Sequence, residues 1–193
     1  AESVSSPIVV LPIFQRADVI KLWDDPNPWR EAWRYFELRE GLVDLVVPIG
    51  ELMDLTAINS AQALDGNRMA LANFAAGHGA DEALVAVANL AFDPDGTPVV
   101  DVTLQRYGAV VGPLLVERFI GESAGSIEDL LGESVSKMAA RIEHDWKYEN
   151  LLEFDEKQDI KVDVPIEDFA HWLKLNSELG KLPVIREANI LSL

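Results

Sequence analysis

The sequence contains no cysteine, and it has few basic residues for its length. Without cysteine it has no disulfides, thiolate metal sites or cysteine nucleophiles, which fits both a reducing cytoplasm and a bacterial periplasm. Its 16 lysines and arginines are outnumbered by 33 acidic residues, so the formal net charge is -17. Because such a charge repels nucleic-acid phosphates and anionic lipids, we expect no nucleic-acid binding.

Long apolar runs are also missing. No run approaches the roughly 20 residues needed to span a bilayer, so we expect no direct membrane insertion. Residues 1–6 lack the basic and apolar regions of a signal peptide, although a leader cleaved before residue 1 is compatible with the sequence. At 193 residues and 49% hydrophobic content, the chain can bury a core as one large domain or two small ones.

Two short apolar segments near the start predict a β-α-β unit. PIVVLPIF at residues 7–14 and LVDLVVPI at residues 42–49 are typical of strands that are covered on both faces of a sheet. The intervening segment predicts a helix that follows LWDDPNPWREAW and ends near Gly41. The crossover between the two strands should be right-handed.

The middle of the chain predicts further helices and an antiparallel hairpin. The segments are a helical stretch at 51–79 broken near 65–67, strands at 83–92 and 99–107, and another strand at 114–120. A long amphipathic helix is expected after Ser126. Its apolar stripe consists of Ile127, Leu130, Leu131, Val135, Met138, Ile142 and Trp146.

These segments together predict an α+β fold in three parts. Residues 1–121 would form a mixed β-sheet packed with helices, and residues 122–158 a long helix followed by an exposed connection from Glu149. Residues 159–193 would form a smaller, ferredoxin-like β-α-β unit. Since the last segment predicts an apolar strand, we expect either a longer natural chain or a homodimer through this edge strand.

The stretch LWDDPNPWREAW, which holds three of the five tryptophans, has two interpretations. Asn27 is a preferred N-cap, Pro28 suits the first helical position, and Trp29 and Trp33 recur on one helical face. This pattern favours a helix start that packs against the sheet.

The second interpretation is a docking surface, because clusters of aromatic residues and arginine suit protein partners. Its candidate residues are Trp23, Asp24, Asn27, Trp29 and Arg30. Capping and periodicity already explain these residue types, so the helix start is the favoured interpretation.

Catalytic and metal-binding patterns are incomplete throughout the sequence. His78, His144 and His171 lie far apart without metal-ligand spacing, and DPDG at 93–96 predicts a turn rather than a calcium loop. Neither a glycine-rich phosphate loop nor a nucleophile elbow is present. We therefore predict no catalytic residues, no cofactor and no metal.

Several segments carry a resemblance to a known family. They are VVLPIF, LWDDPNPWREAW, LVVPIGELMDL, GADEALVAVANL and the late DIKVDVPIEDFAHWLKLNSELGKLPVIREANILSL. They resemble the uncharacterised bacterial family called domain of unknown function 2066 (DUF2066). That resemblance implies an exported protein of Gram-negative bacteria with chain beyond both ends of this one. It implies no activity.

GADEALVAVANL and its hairpin are also similar to sheet-forming modules of periplasmic proteins, such as the amino-terminal domain of the Tol-system propeller protein.

We accordingly predict a non-catalytic protein-interaction module of the bacterial cell envelope, located in the periplasm and bound to a protein partner there. The alternative is a small-molecule-binding protein or hydrolase. Its site would lie at the carboxyl ends of the first two strands, near Arg16 and Gly50.

Overall fold

A computed structural model describes residues 7–37, 43–122 and 125–155, and the structural statements below refer to these ranges. The strands are β1 (Ile8–Arg16), β2 (Val19–Lys21), β3 (Leu45–Val46), β4 (Glu82–Phe92), β5 (Pro98–Tyr107) and β6 (Leu115–Ile120). The helices are α1 (Pro28–Glu37), α2 (Leu52–Ala57), α3 (Ser60–Leu64), α4 (Arg68–Gly77) and α5 (Ile127–Asp155).

The strands form one mixed sheet, which confirms the predicted α+β class. Their order is β2-β1-β4-β5-β6, and β3 pairs with β1 on the edge that β2 also uses. β1 is parallel to β3 and β4, whereas β2, β5 and β6 pair antiparallel with their neighbours. The predicted hairpin and the strand after it are therefore confirmed as β4, β5 and β6.

The second predicted strand, at 42–49, is much shorter in the structure. Of the described residues 43–49, Leu45 and Val46 form a strand, and both are half-buried. The reason is that β1 shares this edge between two partners: β3 pairs at Ile8 and Val9, while β2 pairs at the other end of β1. An apolar segment can be extended and partly buried without pairing with a neighbouring strand. Its apolar composition therefore predicted a longer strand than the structure has.

Both faces of the sheet carry a hydrophobic core. α1 and α5 cover one face, where Trp29 and Trp33 are fully buried and their rings meet edge to face at 5.7 Å. Trp29 also donates its indole N–H to the carbonyl of Ala86 on β4 at 2.9 Å. The other face is covered by α3 and α4, with Leu71 and Phe74 in its core. A strand apolar on both sides, as β1 is, fits this arrangement.

The helical segments differ from the predictions in their boundaries. The stretch at 51–79 forms three helices, with a second break at residues 58–59 in addition to the expected one at 65–67. α5 packs its predicted apolar stripe on the sheet and continues to Asp155, so the connection expected from Glu149 is helical at 149–155. Hydrophobic periodicity predicted the buried stripe but not the polar end of the helix.

The chain divides into two compact units, residues 1–153 and 154–193. The second unit lies almost entirely outside the described residues. The predicted β-α-β unit at 159–193 and its edge strand, together with His171, are therefore expectations that the described residues do not include.

Candidate functional site

The stretch LWDDPNPWREAW forms a helix start, as favoured from its sequence. α1 begins at Pro28, and the backbone N–H of Arg30 donates to Asn27 Oδ1 at 3.0 Å. Asn27 is buried and its amide also donates to the carbonyls of Pro12 and Leu22, each at 3.1 Å. The Pro12 carbonyl lies on the edge of β1 between β2 and β3, so the Asn27 side chain substitutes there for a strand partner.

Arg30 reinforces the same turn from inside the protein. Its side chain is buried, and Nη1 donates to the carbonyls of Leu22 and Trp23 at 3.1 and 3.0 Å. The guanidinium also forms an ion pair with the exposed carboxylate of Asp25. A buried arginine with these partners fixes the chain between β2 and α1 rather than presenting a charge to a partner.

The docking surface proposed from sequence is corrected by these positions. Asn27, Trp29 and Arg30 are buried, and the side chain of each donates to at least one backbone carbonyl of this chain. Asp24 is exposed and Trp23 is half-buried. The five residues are close together in the fold, but three of them cannot contact a partner without unfolding of the helix start.

Trp23 points toward a different part of the molecule, the segment that carries α2. Its indole N–H donates to the carbonyl of Ile58, directly after α2, at 2.8 Å, and its ring lies 5.7 Å from that of Phe74. Gly50 lies before the start of α2, and a Cβ added to it would lie only 3.3 Å from Trp23 Cε3. Gly50 also has φ +83°, which glycine adopts without strain. Trp23 thus supports both ends of α2.

The packing of Trp23 also affects the small-molecule crevice that was predicted near Arg16 and Gly50. Trp23 occupies the side of Gly50 from which a side chain would project. At the end of β1, the Arg16 guanidinium lies 5.4 Å from the centre of the Phe92 ring. The two segments therefore use these positions for packing within the chain.

α2 reverses the usual arrangement of an amphipathic helix. Its carboxylate residue, Asp54, is only 4% exposed, whereas Leu52 and Met53 are 77% and 73% exposed. Leu55 and the preceding Ile49 are also more than half exposed. We call Ile49, Leu52, Met53 and Leu55 the α2 surface. Contiguous exposed apolar side chains of this kind are typical of interaction sites.

Asp54 explains why α2 keeps this orientation. Asp54 Oδ2 accepts from the backbone N–H groups of Gly50 and Glu51 at 3.1 and 2.9 Å, which satisfies donors at the start of the helix. Asp54 Oδ1 lies 2.8 Å from Nε2 of His78, the C-cap residue of α4. The buried carboxylate therefore ties α2 to α4 and leaves the apolar side chains outside.

Sequence reasoning did not identify this pair. Asp54 and His78 are 24 residues apart and belong to separate helices. The acid three positions after Glu51 is the sequence signal of a capping interaction, and it could have indicated the first role of Asp54. Nothing local indicates the contact with His78.

Replacing Asp54 with alanine is expected to lower the free energy of unfolding by about 2–3 kcal/mol. The change removes a charged acceptor from two backbone donors and from His78, and each such group loses its partner in a poorly hydrated environment. Urea denaturation followed by circular dichroism measures the loss. The control is Asp81→Ala, at an exposed loop position, which should change stability by less than about 0.5 kcal/mol. Equal effects would show that Asp54 does not anchor α2.

Metal-binding geometry is absent from the described part of the chain. No group of three or more histidine, aspartate or glutamate side chains there could hold a metal ion. The segment at 93–96 is a turn, as predicted: the Gly96 N–H donates to the Asp93 carbonyl at 2.8 Å. Hydrogen bonds from Thr97 lower the pKa of Asp95 below its usual value.

Every described helix is too short or too polar to cross a membrane.

Comparison with other proteins identifies no family for this chain. The sequence matches no protein-family model and no curated protein. Among solved structures, a PelC dodecamer from Paraburkholderia phytofirmans is 14% identical, with 70% of this chain and 90% of that chain covered and a TM-score of 0.37. Lipoprotein GNA1162 from Neisseria meningitidis is 16% identical, with 72% and 98% covered and a TM-score of 0.43. These scores are low, so the similarities decide no function, and membership of DUF2066 stays a prediction.

Proposed function

We propose that this protein is a non-catalytic interaction module of the bacterial cell envelope and that the α2 surface is its contact site. The observation that carries the proposal is the burial of Asp54 beneath exposed Leu52, Met53 and Leu55. A helix that uses its only carboxylate for internal hydrogen bonds and leaves its large apolar side chains in water gains nothing for its own folding.

The α2 surface is also held rigidly, which suits binding. Asp54 fixes the start of α2 and its contact with α4, while the bond from Trp23 to the Ile58 carbonyl fixes the end. Because these contacts order the backbone before a partner arrives, binding loses less conformational entropy. Large exposed side chains on such a support can act as anchors in a partner's pocket.

The partner we propose is a protein with an apolar pocket bordered by basic residues. The chain carries a net charge of -17, and exposed Glu51 directly precedes Leu52 of the α2 surface. Opposite charge at the rim of a partner would guide association, whereas a second copy or an anionic bilayer would be repelled.

The envelope location is part of the same proposal, and it is supported by the resemblance to DUF2066 described above.

The alternative small-molecule or hydrolase site near Arg16 and Gly50 is less well supported, because Trp23 packs against Gly50. The proposed module needs no cofactor.

Two methionines allow a matched test of the contact site. Met53 lies in the α2 surface, and Met69 lies near the start of α4 with almost the same exposure, 73% against 77%. A photo-crosslinking amino acid is placed at either position, and the full protein is irradiated in the bacterium that produces it. We expect a specific protein adduct from position 53, recovered with the envelope fractions, and none from position 69.

Purified components then confirm the contact. The captured protein should bind the wild type, and Leu52→Ser combined with Leu55→Ser should weaken binding about 100-fold. Met69→Ser should leave binding unchanged. Equal adducts at both positions would contradict the proposal, as would adducts with lipid alone or adducts found only in the cytosol.

A further inference from the structure

A second surface lies on the opposite face of the sheet, in the open groove between α1 and α5. The groove has a volume of about 1110 Å³ and is lined by residues at 25–36 and 128–136. Ala32 and Phe36 of α1 are half-buried in it and pack against the core below. An open groove between two helices suits a helical polypeptide segment.

Gly132 leaves the α5 side of the groove without a side chain. It lies inside α5, where glycine lowers helix stability relative to alanine by roughly 1 kcal/mol. A Cβ at this position would meet no atom of the described residues within 4 Å, so no contact described there requires glycine. The missing side chain instead leaves the backbone of α5 accessible from the groove. One turn later, the hydroxyl of Ser136 donates to the Gly132 carbonyl, so this small side chain lies close to the α5 backbone.

Carboxylates border the groove on both helices. Among the described residues that line it, one is a cation, Arg34, and five are acidic: Asp25, Glu31, Glu128, Asp129 and Glu133.

Several of these carboxylates have cationic partners within the chain. Asp25 pairs with Arg30, Glu31 with Arg34 at 3.3 Å and Glu133 with Lys137 at 2.7 Å. No ion pair among the described residues involves Glu128 or Asp129. The groove therefore retains negative charge that a basic partner can neutralise.

We propose that this groove binds a basic, amphipathic helix of a partner protein. The apolar face of that helix would lie on Ala32 and Phe36 and approach the α5 backbone at Gly132, and its lysines or arginines would reach the acidic borders. This is the helix-in-groove mode of recognition, with charge setting the specificity. It does not depend on the α2 surface, and together the two surfaces would let the protein join two partners on opposite faces of its sheet.

The test fills the groove without disturbing the fold. Gly132→Leu places a side chain in the open space and should not lower the melting temperature, since leucine favours helix over glycine. The matched control is Gly77→Leu at the end of α4, where a Cβ also meets no atom of the described ranges within 4 Å. The probe is a fluorescent 14-residue amphipathic peptide of lysine, leucine and alanine, titrated into the full chain and followed by anisotropy.

We expect the wild type and Gly77→Leu to bind the probe equally and Gly132→Leu to bind about tenfold more weakly or not at all. A peptide with glutamate in place of lysine should not bind, and raising the NaCl concentration should weaken the lysine peptide. Leu52→Ser with Leu55→Ser should leave probe binding intact, which separates this proposal from that of the α2 surface.

Three results would overturn the proposal. They are equal binding by the wild type and Gly132→Leu, binding of the acidic peptide as tightly as the basic one, and failure of the wild type to bind. If the wild type fails to bind and Gly132→Leu also melts at a lower temperature, the groove is occupied within the chain itself.

Discussion

Asn27→Ala is expected to lower the free energy of unfolding by about 3–4 kcal/mol, although Asn27 is a single polar side chain at a helix start. Loss of an N-cap bond costs about 0.5–2 kcal/mol. In addition, the Asn27 amide donates to the carbonyls of Pro12, Lys21 and Leu22 at 3.1, 3.3 and 3.1 Å. The Leu22 carbonyl keeps its bond from Arg30, so the main loss is at Pro12, where a buried carbonyl without its donor costs about 1–3 kcal/mol. Urea denaturation of the full chain measures the change.

Asn27→Asp separates capping from the bonds to these carbonyls. Aspartate caps helices about as well as asparagine, so a role limited to capping would make this variant nearly as stable as the wild type. In the structure, however, the second carboxylate oxygen would face carbonyl oxygens that need a donor. We expect a loss of about 2–3 kcal/mol, because the nearby Arg30 charge offsets only part of this repulsion. A stable Asn27→Asp variant would refute the proposed role.

Trp29→Ala is expected to destabilise the protein by about 3–5 kcal/mol, the range for removing a large buried aromatic side chain. Trp29 is fully buried between α1 and the sheet, in edge-to-face contact with Trp33, and bonds to the Ala86 carbonyl. Its removal would leave a cavity and take a donor from that carbonyl. Circular dichroism during urea denaturation measures the loss without depending on tryptophan fluorescence.

The neighbouring tryptophan provides the control for the hydrogen bond. Trp33 is equally buried, but its indole N–H has no acceptor among the described residues. Both Trp29→Phe and Trp33→Phe lose similar ring area, whereas only Trp29→Phe loses a hydrogen bond. We expect Trp29→Phe to be the less stable of the two by about 1 kcal/mol. The reverse order would mean that shape, rather than the bond to Ala86, decides the requirement at position 29.

The elements that sequence predicted correctly all depend on local patterns. β1 is a continuous apolar run, α1 starts at an asparagine followed by proline, and the turn at 93–96 contains Asp-Gly. The stripe of α5 follows helical periodicity. Each pattern reflects backbone geometry or the burial of one face, which residues near in sequence determine together.

The errors arose where several distant segments compete for one position. The segment at 42–49 is apolar enough for a long strand, but β2 already occupies part of the same edge of β1. Asn27 and Arg30 were assigned to a candidate docking surface because a cluster of aromatic residues and arginine suits protein partners. They are buried because carbonyls of β1 and of the turn before α1 provide partners there.

The candidate site also has features that local sequence predicted and features that depend on residues distant in sequence. By itself the sequence determined a strongly acidic chain, a mixed sheet with helices, and a capped helix start at LWDDPNPWREAW. Only the tertiary structure decided which face of α2 points outward, because that depends on His78, 24 residues after Asp54 in another helix. It also decided that the groove at Gly132 is open within the described part of the chain. The burial of a polar group depends on the partners that the fold brings to it, and local sequence does not specify them.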